Sequence, residues 1–383
     1  MKRLLLLLVI LGFGQNGFAQ PLSAYTNFQN QFFVWDNGYI RKIEYLVPLK
    51  TAVGRSAIGY LDNSRSFKIY HKGGSVKIND GFTSSIYATD NLIGYKNTNA
   101  LFVWENGHIT QLSGMVGDFK IGDSVVLFFD GIQSQYQAYY KGEIYPIEGF
   151  LGGVSSEYLF SVDTSQNITI SNTQSIESGQ LPAAKASDNI VAYVNYSSQF
   201  RIFYQGEIIY QDPYLVQSFD LGRNTVAYVD INAQFRVFHK GKTQLLDEFT
   251  PETYAVGDDL VAFIGSDNYF KIFYNDSIYS MGYFQPNFTV GDNVVAFEDG
   301  SGYFKVFYKG AVYTLESYYP DEYVVAYNSV AYVNRANVLR QFCEGDIFDV
   351  TNAGISQWRL DYDVIQYRFG QNLYKVFYKG RTY

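Results

Sequence analysis

Three histidines, one cysteine and 37 carboxylates are the side chains from which a reaction or a metal site would have to be built. Their spacing offers little chemistry. His71 and His239 each stand directly before a Lys-Gly pair, in "FKIYHKG" and "FRVFHKG", where a related stretch carries Tyr308. They read as replacements for an aromatic ring, while His108 follows the Asn106-Gly107 turn and reads as exposed. No two histidines have the spacing of metal ligands. A lone Cys343 excludes an internal disulfide and thiolate metal sites, and it reads as a small packed side chain at an aromatic position. There is no G-x-S-x-G elbow, no phosphate-cradling glycine loop and no Cys–His pair. No catalytic residue, metal or cofactor is therefore assigned. Carboxylate pairs are plentiful, and a glycosidase needs only two brought to the right separation, but nothing in their spacing says which converge.

The remaining candidates are polar segments tipped with tyrosine. "LDNSRS", "VNYSSQ", "VDINAQ", "EDGSGY" and "VNRAN" are rich in Asp, Asn, Ser and Gln, as are longer stretches such as "YQDPYLVQ", "GYFQPNF" and "ESYYPDEY". Tyr196, Tyr214, Tyr283 and Tyr319 lie in them and are the candidate ligand-binding residues for a protein or glycan surface. None of these segments has the alternating acidic spacing of a calcium loop. Lys72, Lys141, Lys240, Lys309 and Lys379, each before a Gly, would dot one face with positive charge.

What must position these segments is a repeat. "FKVFYKG" at 304–310 returns as "YKVFYKG" at 374–380, and between and before them the same apolar strand and turn recur. The turn glycines are Gly38, Gly73, Gly107, Gly142, Gly206, Gly241, Gly310, Gly345 and Gly380, with degenerate copies ending at Thr173 ("NITISNT") and Asp276 ("FKIFYND"). Successive spacings are 35, 34, 35, 31, 33, 35, 35, 34, 35 and 35 residues, which counts about 11 units of roughly 35 residues. In the unit at 287–316, "NFTV", "VVAFE", "FKVFY" and "AVYTLE" read as four short strands, joined by "GDN", "DGSGY" and Lys309-Gly310. The first turn recurs as "VGRS", "IGDS", "LGRN" and "VGDD". Phe304, Val306 and Tyr308 occupy one side of a strand and Phe307 the other, so each sheet needs cover on both faces.

Four antiparallel strands per unit and sheets stacked face on face resemble the blade of a β-propeller. "FTVGDNVVAFEDGSGYFKVFYKGAVYTLE" is similar to the generic blade of WD-repeat and related propellers, without their Trp-Asp and Gly-His marks, the paired glycines of kelch repeats or a YWTD signature. The likeness covers nearly the whole chain and implies an all-β propeller, but no family function. The expectation is about 11 four-stranded repeats in one large ring, or two tandem rings divided near 180, within "SIESGQLPAAKASDN". A β-solenoid is the rival architecture. Unit one lacks its inner strand, because the corresponding positions fall at about 16–21.

The first residues stand apart. Met1-Lys2-Arg3, the apolar run "LLLLLVILGFG" and the small residue of "GFAQ" read as a secretory signal over 1–19, cleaved after Ala19, leaving 20–383 as the repeat array. Without Lys2 and Arg3 the 37 acidic residues face 27 basic ones, a net charge near −10. That argues against nucleic acid or an anionic membrane as the main partner, and no later apolar stretch is of membrane-spanning length. The expected protein is an exported, non-enzymatic propeller, periplasmic, cell-surface or extracellular, that serves as a binding or scaffold module for a protein or glycan. The alternative is a carbohydrate-active enzyme or lectin using the loop face.

Overall fold

A computed structural model describes residues 21–149, 160–162, 168–170, 183–195, 197–212, 215–352, 357–370 and 372–383, which are strand and turn almost throughout. Blade 8 shows the unit. Phe288–Val290, Val294–Glu298, Phe304–Tyr308 and Ala311–Glu316 pair antiparallel in chain order. The hairpin between its third and fourth strands turns on Lys309 and Gly310, at φ 49° and 83°. That is the left-handed pair of a type I′ turn, which suits a twisted two-residue connection. A bulge after Phe304 separates the registers Phe304↔Glu316 and Lys305↔Thr314. Bulges recur at the same place, after Phe67, Phe200, Phe235, Phe270 and Leu339. Each adds local twist to its blade.

The second strands are buried from end to end: Ala57–Leu61, Ile190–Val194, Thr225–Val229 and Leu260–Ile264. With Phe304, Val306, Phe307 and Tyr308 all buried, both faces of the third strand are covered as well. The core is therefore a series of apolar layers between neighbouring blades. One layer joins Val294, Phe304 and Val306 of blade 8 to Val330, Tyr332 and Phe342 of blade 9.

Ten blades form the ring, at 23–44, 50–80, 83–113, 116–149, 183–212, 218–247, 253–283, 288–316, 323–351 and 358–382. The count of about 11 and the two-ring alternative are corrected here to ten blades in a single ring. The "NITISNT" unit supplies Ile168–Ile170, paired only with Phe160–Val162 among the described residues. Blade 4 packs directly on blade 5, through Leu127, Tyr136 and Ala138 against Val191, Tyr193 and Phe203. The reason is legible in the unit itself. Where blade 8 has Phe304, Val306 and Tyr308, the degenerate copy has Asn167, Thr169 and Ser171. A polar face of that kind gains nothing from burial between two blades.

One contact recurs at five of the blade junctions. An aromatic ring on a fourth strand lies against the turn glycine of the next blade: Tyr279 on Gly310, Tyr313 on Gly345, Phe348 on Gly380. Tyr145 of blade 4 reaches Gly206 of blade 5, and Tyr383 reaches Gly38, which closes the ring between blades 10 and 1. Trp35 packs on Val364, Val376 and Tyr378 at the same seam, and Gln366 donates to Ser23 and Ala24. Blade 1 has three strands among the described residues, and the positions of its inner strand lie outside them. Residues 1–19, expected to be a secretory signal, also lie outside the described residues.

Candidate functional site

Because the strands alternate in direction, the first and third turns of every blade gather at one end of the ring, and the second turns and inter-blade connections at the other. The first turns converge on the axis and hold one another by hydrogen bonds. Leu22 N–H donates to Arg55 O, Arg55 N–H to Thr89 O, Asp90 N–H to the Asp123 carboxylate and Ser124 N–H to Asp188 O. Asn224 N–H, Asp258 N–H and Asp292 N–H continue the series to Asp258 O, Asp292 O and Tyr327 O. Glycine makes this approach possible. A Cβ on Gly222 would stand 1.6 Å from Gly257 O, and one on Gly257 would stand 2.4 Å from Asp292 O.

One position of this turn faces the axis in each of blades 2 to 10, and there the repeats differ. Blades 2 to 10 carry Arg55, Asp90, Asp123, Asp188, Arg223, Asp258, Asp292, Tyr327 and Tyr362. Arg223 spans the axis: its Nη2 lies 2.7 Å from Asp123 and 3.2 Å from Asp90, and its Nε 3.5 Å from Asp188 and 3.6 Å from Asp258. Arg55 stands over the Tyr327 ring at 4.2 Å, and Tyr362 packs edge-on against Tyr327. Five carboxyl groups thus share two guanidinium groups in a confined space. Burial first, and then the Asp123 and Asp258 carboxylates, push Asp188 up to about 10. Burial, then Asp258 and Asp90, bring Asp292 to about 8, while burial and Asp123 bring Asp90 to about 6. Burial opposes charge on Arg223, yet the surrounding aspartates raise its pKa above the ordinary value. At neutral pH part of this ring therefore keeps its protons. Beside it, between blades 5 and 9, is a recess of about 290 Å³ lined by Asp188, Asp258, Asp292, Val256, Val290 and Tyr327 among others.

The sequence-derived candidates are not brought together. Tyr196 and Tyr214 lie outside the described residues. Tyr319 is folded into the structure, its hydroxyl donating to Tyr323 at 2.8 Å and its ring edge-on to Phe304. Tyr283 is exposed and meets Tyr269 edge-on at 5.4 Å. Most loop Asp and Asn side chains serve their own loops. Asp62, Asn195, Asp230, Asp299 and Asn334 each accept two backbone N–H groups within the following four residues. Nor are the turn lysines a free ring of charge. Lys141, Lys309 and Lys379 lie over the preceding tyrosine, and Lys379 also pairs with Glu344 at 2.7 Å.

The histidines sit where an aromatic ring would. His71 packs edge-on against Trp104, and His108 is exposed. His239 packs against Phe273 and bridges blades 6 and 7, with Nδ1 2.7 Å from Asp276 and Nε2 3.3 Å from Asp259. Cys343 is buried, and burial raises its thiol pKa. Among the described residues no group of three or more His, Cys, Asp or Glu is arranged to hold a metal ion, and no helix is long and apolar enough to cross a membrane. The axial ring was missed because its members are 33 to 65 residues apart and look like ordinary turn residues. The available signal was the change of residue type at one position of an otherwise uniform turn.

Solved structures similar in part include the computationally designed Ika8 protein, at 13% identity over 79% of this chain and 97% of that one, with a TM-score of 0.33. The tricorn protease aligns at 8% identity over 94% of this chain and 45% of that one, with a TM-score of 0.32. Kluyveromyces lactis Hsv2 aligns at 12% over 79% and 98%, with a TM-score of 0.31. Likenesses this weak carry no argument. No curated protein matches the chain. The profile described as a 10-bladed beta propeller domain matches residues 17–383, the same count of blades that closes the ring, and the chain belongs to that family.

Proposed function

We propose that the protein is an exported, non-enzymatic binding or scaffold module, periplasmic, cell-surface or extracellular, whose axial recess receives a basic side chain from a partner protein. The carrying observation is the axial position, where nine blades present Arg, Asp or Tyr in a turn that is otherwise nearly uniform. Asp188, Asp258 and Asp292 line the recess beside Val256 and Val290, a chemistry that suits an ammonium or guanidinium group on an aliphatic stem. The non-enzymatic reading is supported by what the carboxylates already do. At the axis they hold Arg223, and in the loops they accept backbone N–H groups. Export rests on the cationic, apolar and small-residue order of the first 19 residues.

A lectin using the loop face is the second reading, favoured by the exposed Tyr269–Tyr283 pair. Arrays of Lys- and Arg-bearing peptides and of glycans, probed side by side, test both. Peptide binding that strengthens from pH 6 to 9 and is lost in Asp258→Asn/Asp292→Asn supports the axial reading. Glycan binding that survives that double change but not Tyr283→Ala would replace it with the lectin. Turnover of any arrayed glycan would refute the non-enzymatic reading.

A further inference from the structure

The end of the ring opposite the axial turns is divided into two sectors of opposite sign. Residues 21–115, which form blades 1 to 3, hold nine Lys and Arg against six Asp and Glu, although the whole chain carries −8. Hydrogen bonds link the loops of this sector into a continuous arc. Asn63 donates to Val47 O, Gly81 N–H to Arg65 O, Thr98 N–H to Phe82 O, Val116 N–H to Asn99 O and Gly131 N–H to Met115 O. Along the arc Tyr45, Leu46, Leu49, Phe82, Met115 and Ile132 are exposed. Phe82 is the extreme case: it is 83% exposed and held at φ 60°, a conformation that costs a bulky side chain energy and here presents its ring to solvent. The carboxylates of the arc are engaged internally. Glu44 and Asp62 hold Lys68, and Asp80 holds Lys77. Lys42, Lys50, Arg65 and Lys96 are left without a carboxylate partner in the ion pairs of the described residues, Lys50 and Lys96 being tethered to backbone carbonyls and Lys42 lying over Tyr45.

Across the ring, blades 6 to 8 show the reverse. Lys271, Lys305 and Arg236 are each paired within their own blades, to Asp267, Asp299 and Asp230. Glu248, Glu252, Asp321 and Glu322 are exposed and in none of those ion pairs, with Arg335 the local exception. Ile231, Phe249, Tyr269, Tyr283 and Tyr303 are exposed among them. Blades 2 and 7 stand five places apart in a ring of ten, so the two sectors are diametrically opposed.

We infer that this face is covered by a second copy of the chain, in a face-to-face dimer that lays the basic, apolar sector of each ring on the acidic, apolar sector of the other. A two-fold axis in the plane of the interface makes both contacts at once, so the assembly closes at two. Charge complementarity sets the register, and the exposed apolar arcs supply the contact area. The axial recesses then point outward from the two ends, which leaves the proposed binding site free and makes the module bivalent.

Sedimentation velocity and light scattering on the chain lacking its first 19 residues test the inference. The expected result is a dimer at micromolar concentration whose dissociation constant rises at least about tenfold between low and high salt. Phe82→Gly should weaken the dimer without unfolding the ring, since glycine accepts that backbone conformation. Lys50→Glu/Arg65→Glu and Glu248→Lys/Glu252→Lys should each favour the monomer, and the mixture of the two variants should regain both contacts in a mixed dimer, one of them with its charges exchanged. A monomer at about 100 μM in low salt, or a dimer indifferent to these changes, overturns the inference. Binding of such a monomer to vesicles of phosphatidylcholine and phosphatidylglycerol would overturn it in favour of a lipid surface.

Discussion

Asp188→Asn tests the electrostatics of the axis most directly. Asp188 sits at φ 38°, a region that asparagine tolerates, and the amide imitates a carboxyl that has kept its proton. Burial first, then Asp123 and Asp258, hold Asp188 at about 10, far above the value near 4 of an unfolded chain. Between those values the folded protein binds a proton that the unfolded one has released. Stability is therefore fully present below about pH 4 and is lost as pH rises, by up to about 1.4 kcal/mol per pH unit for one group. From pH 4.5 to 8.5 the ceiling is about 5 kcal/mol. The side chain is 21% exposed and its titration is shared with Asp258, so about 2–3 kcal/mol is the reasonable expectation. Urea denaturation at both pH values measures it. The stability of Asp188→Asn relative to the parent should improve by that amount on going from pH 4.5 to 8.5. Parallel pH profiles for the two proteins would refute the reasoning that crowding of carboxyl groups strains the axis.

Three further outcomes follow from packing and closure. Gly222→Ala places a Cβ 1.6 Å from Gly257 O in a belt of hydrogen-bonded turns, and should cost about 3 kcal/mol or more in denaturant unfolding. Tyr383→Ala removes the ring that covers Gly38 and Trp35 at the seam, and should cost about 1–3 kcal/mol with earlier proteolysis of blade 1 than of blade 7. Replacing 150–182 with a Gly/Ser linker should leave the far-ultraviolet circular dichroism and cooperative unfolding in place, because blade 4 already packs on blade 5. Loss of folding there would mean that an eleventh unit belongs to the ring.

Much of the fold was legible because it is local. Alternation of apolar residues, turn glycines and the recurrence of "FKVFYKG" specify a four-stranded unit before any tertiary contact forms, and His71, His239 and Cys343 were readable as aromatic substitutes from their place in it. The loop aspartates were legible only in type. Whether Asp230 faces a ligand or caps Asn232 and Gln234 depends on the loop's path, and it caps.

The sequence by itself determined the blade, its strand order and the requirement that both faces be covered. Only the tertiary structure decided that there are ten blades and not about eleven, because membership depends on whether each face finds an apolar neighbour, and Asn167, Thr169 and Ser171 offer none. Only ring closure could bring Arg223 to Asp90 and Asp123, 133 and 100 residues away along the chain. A turn residue acquires a charged partner at that range when the circle is complete, and until then it is one polar turn among many.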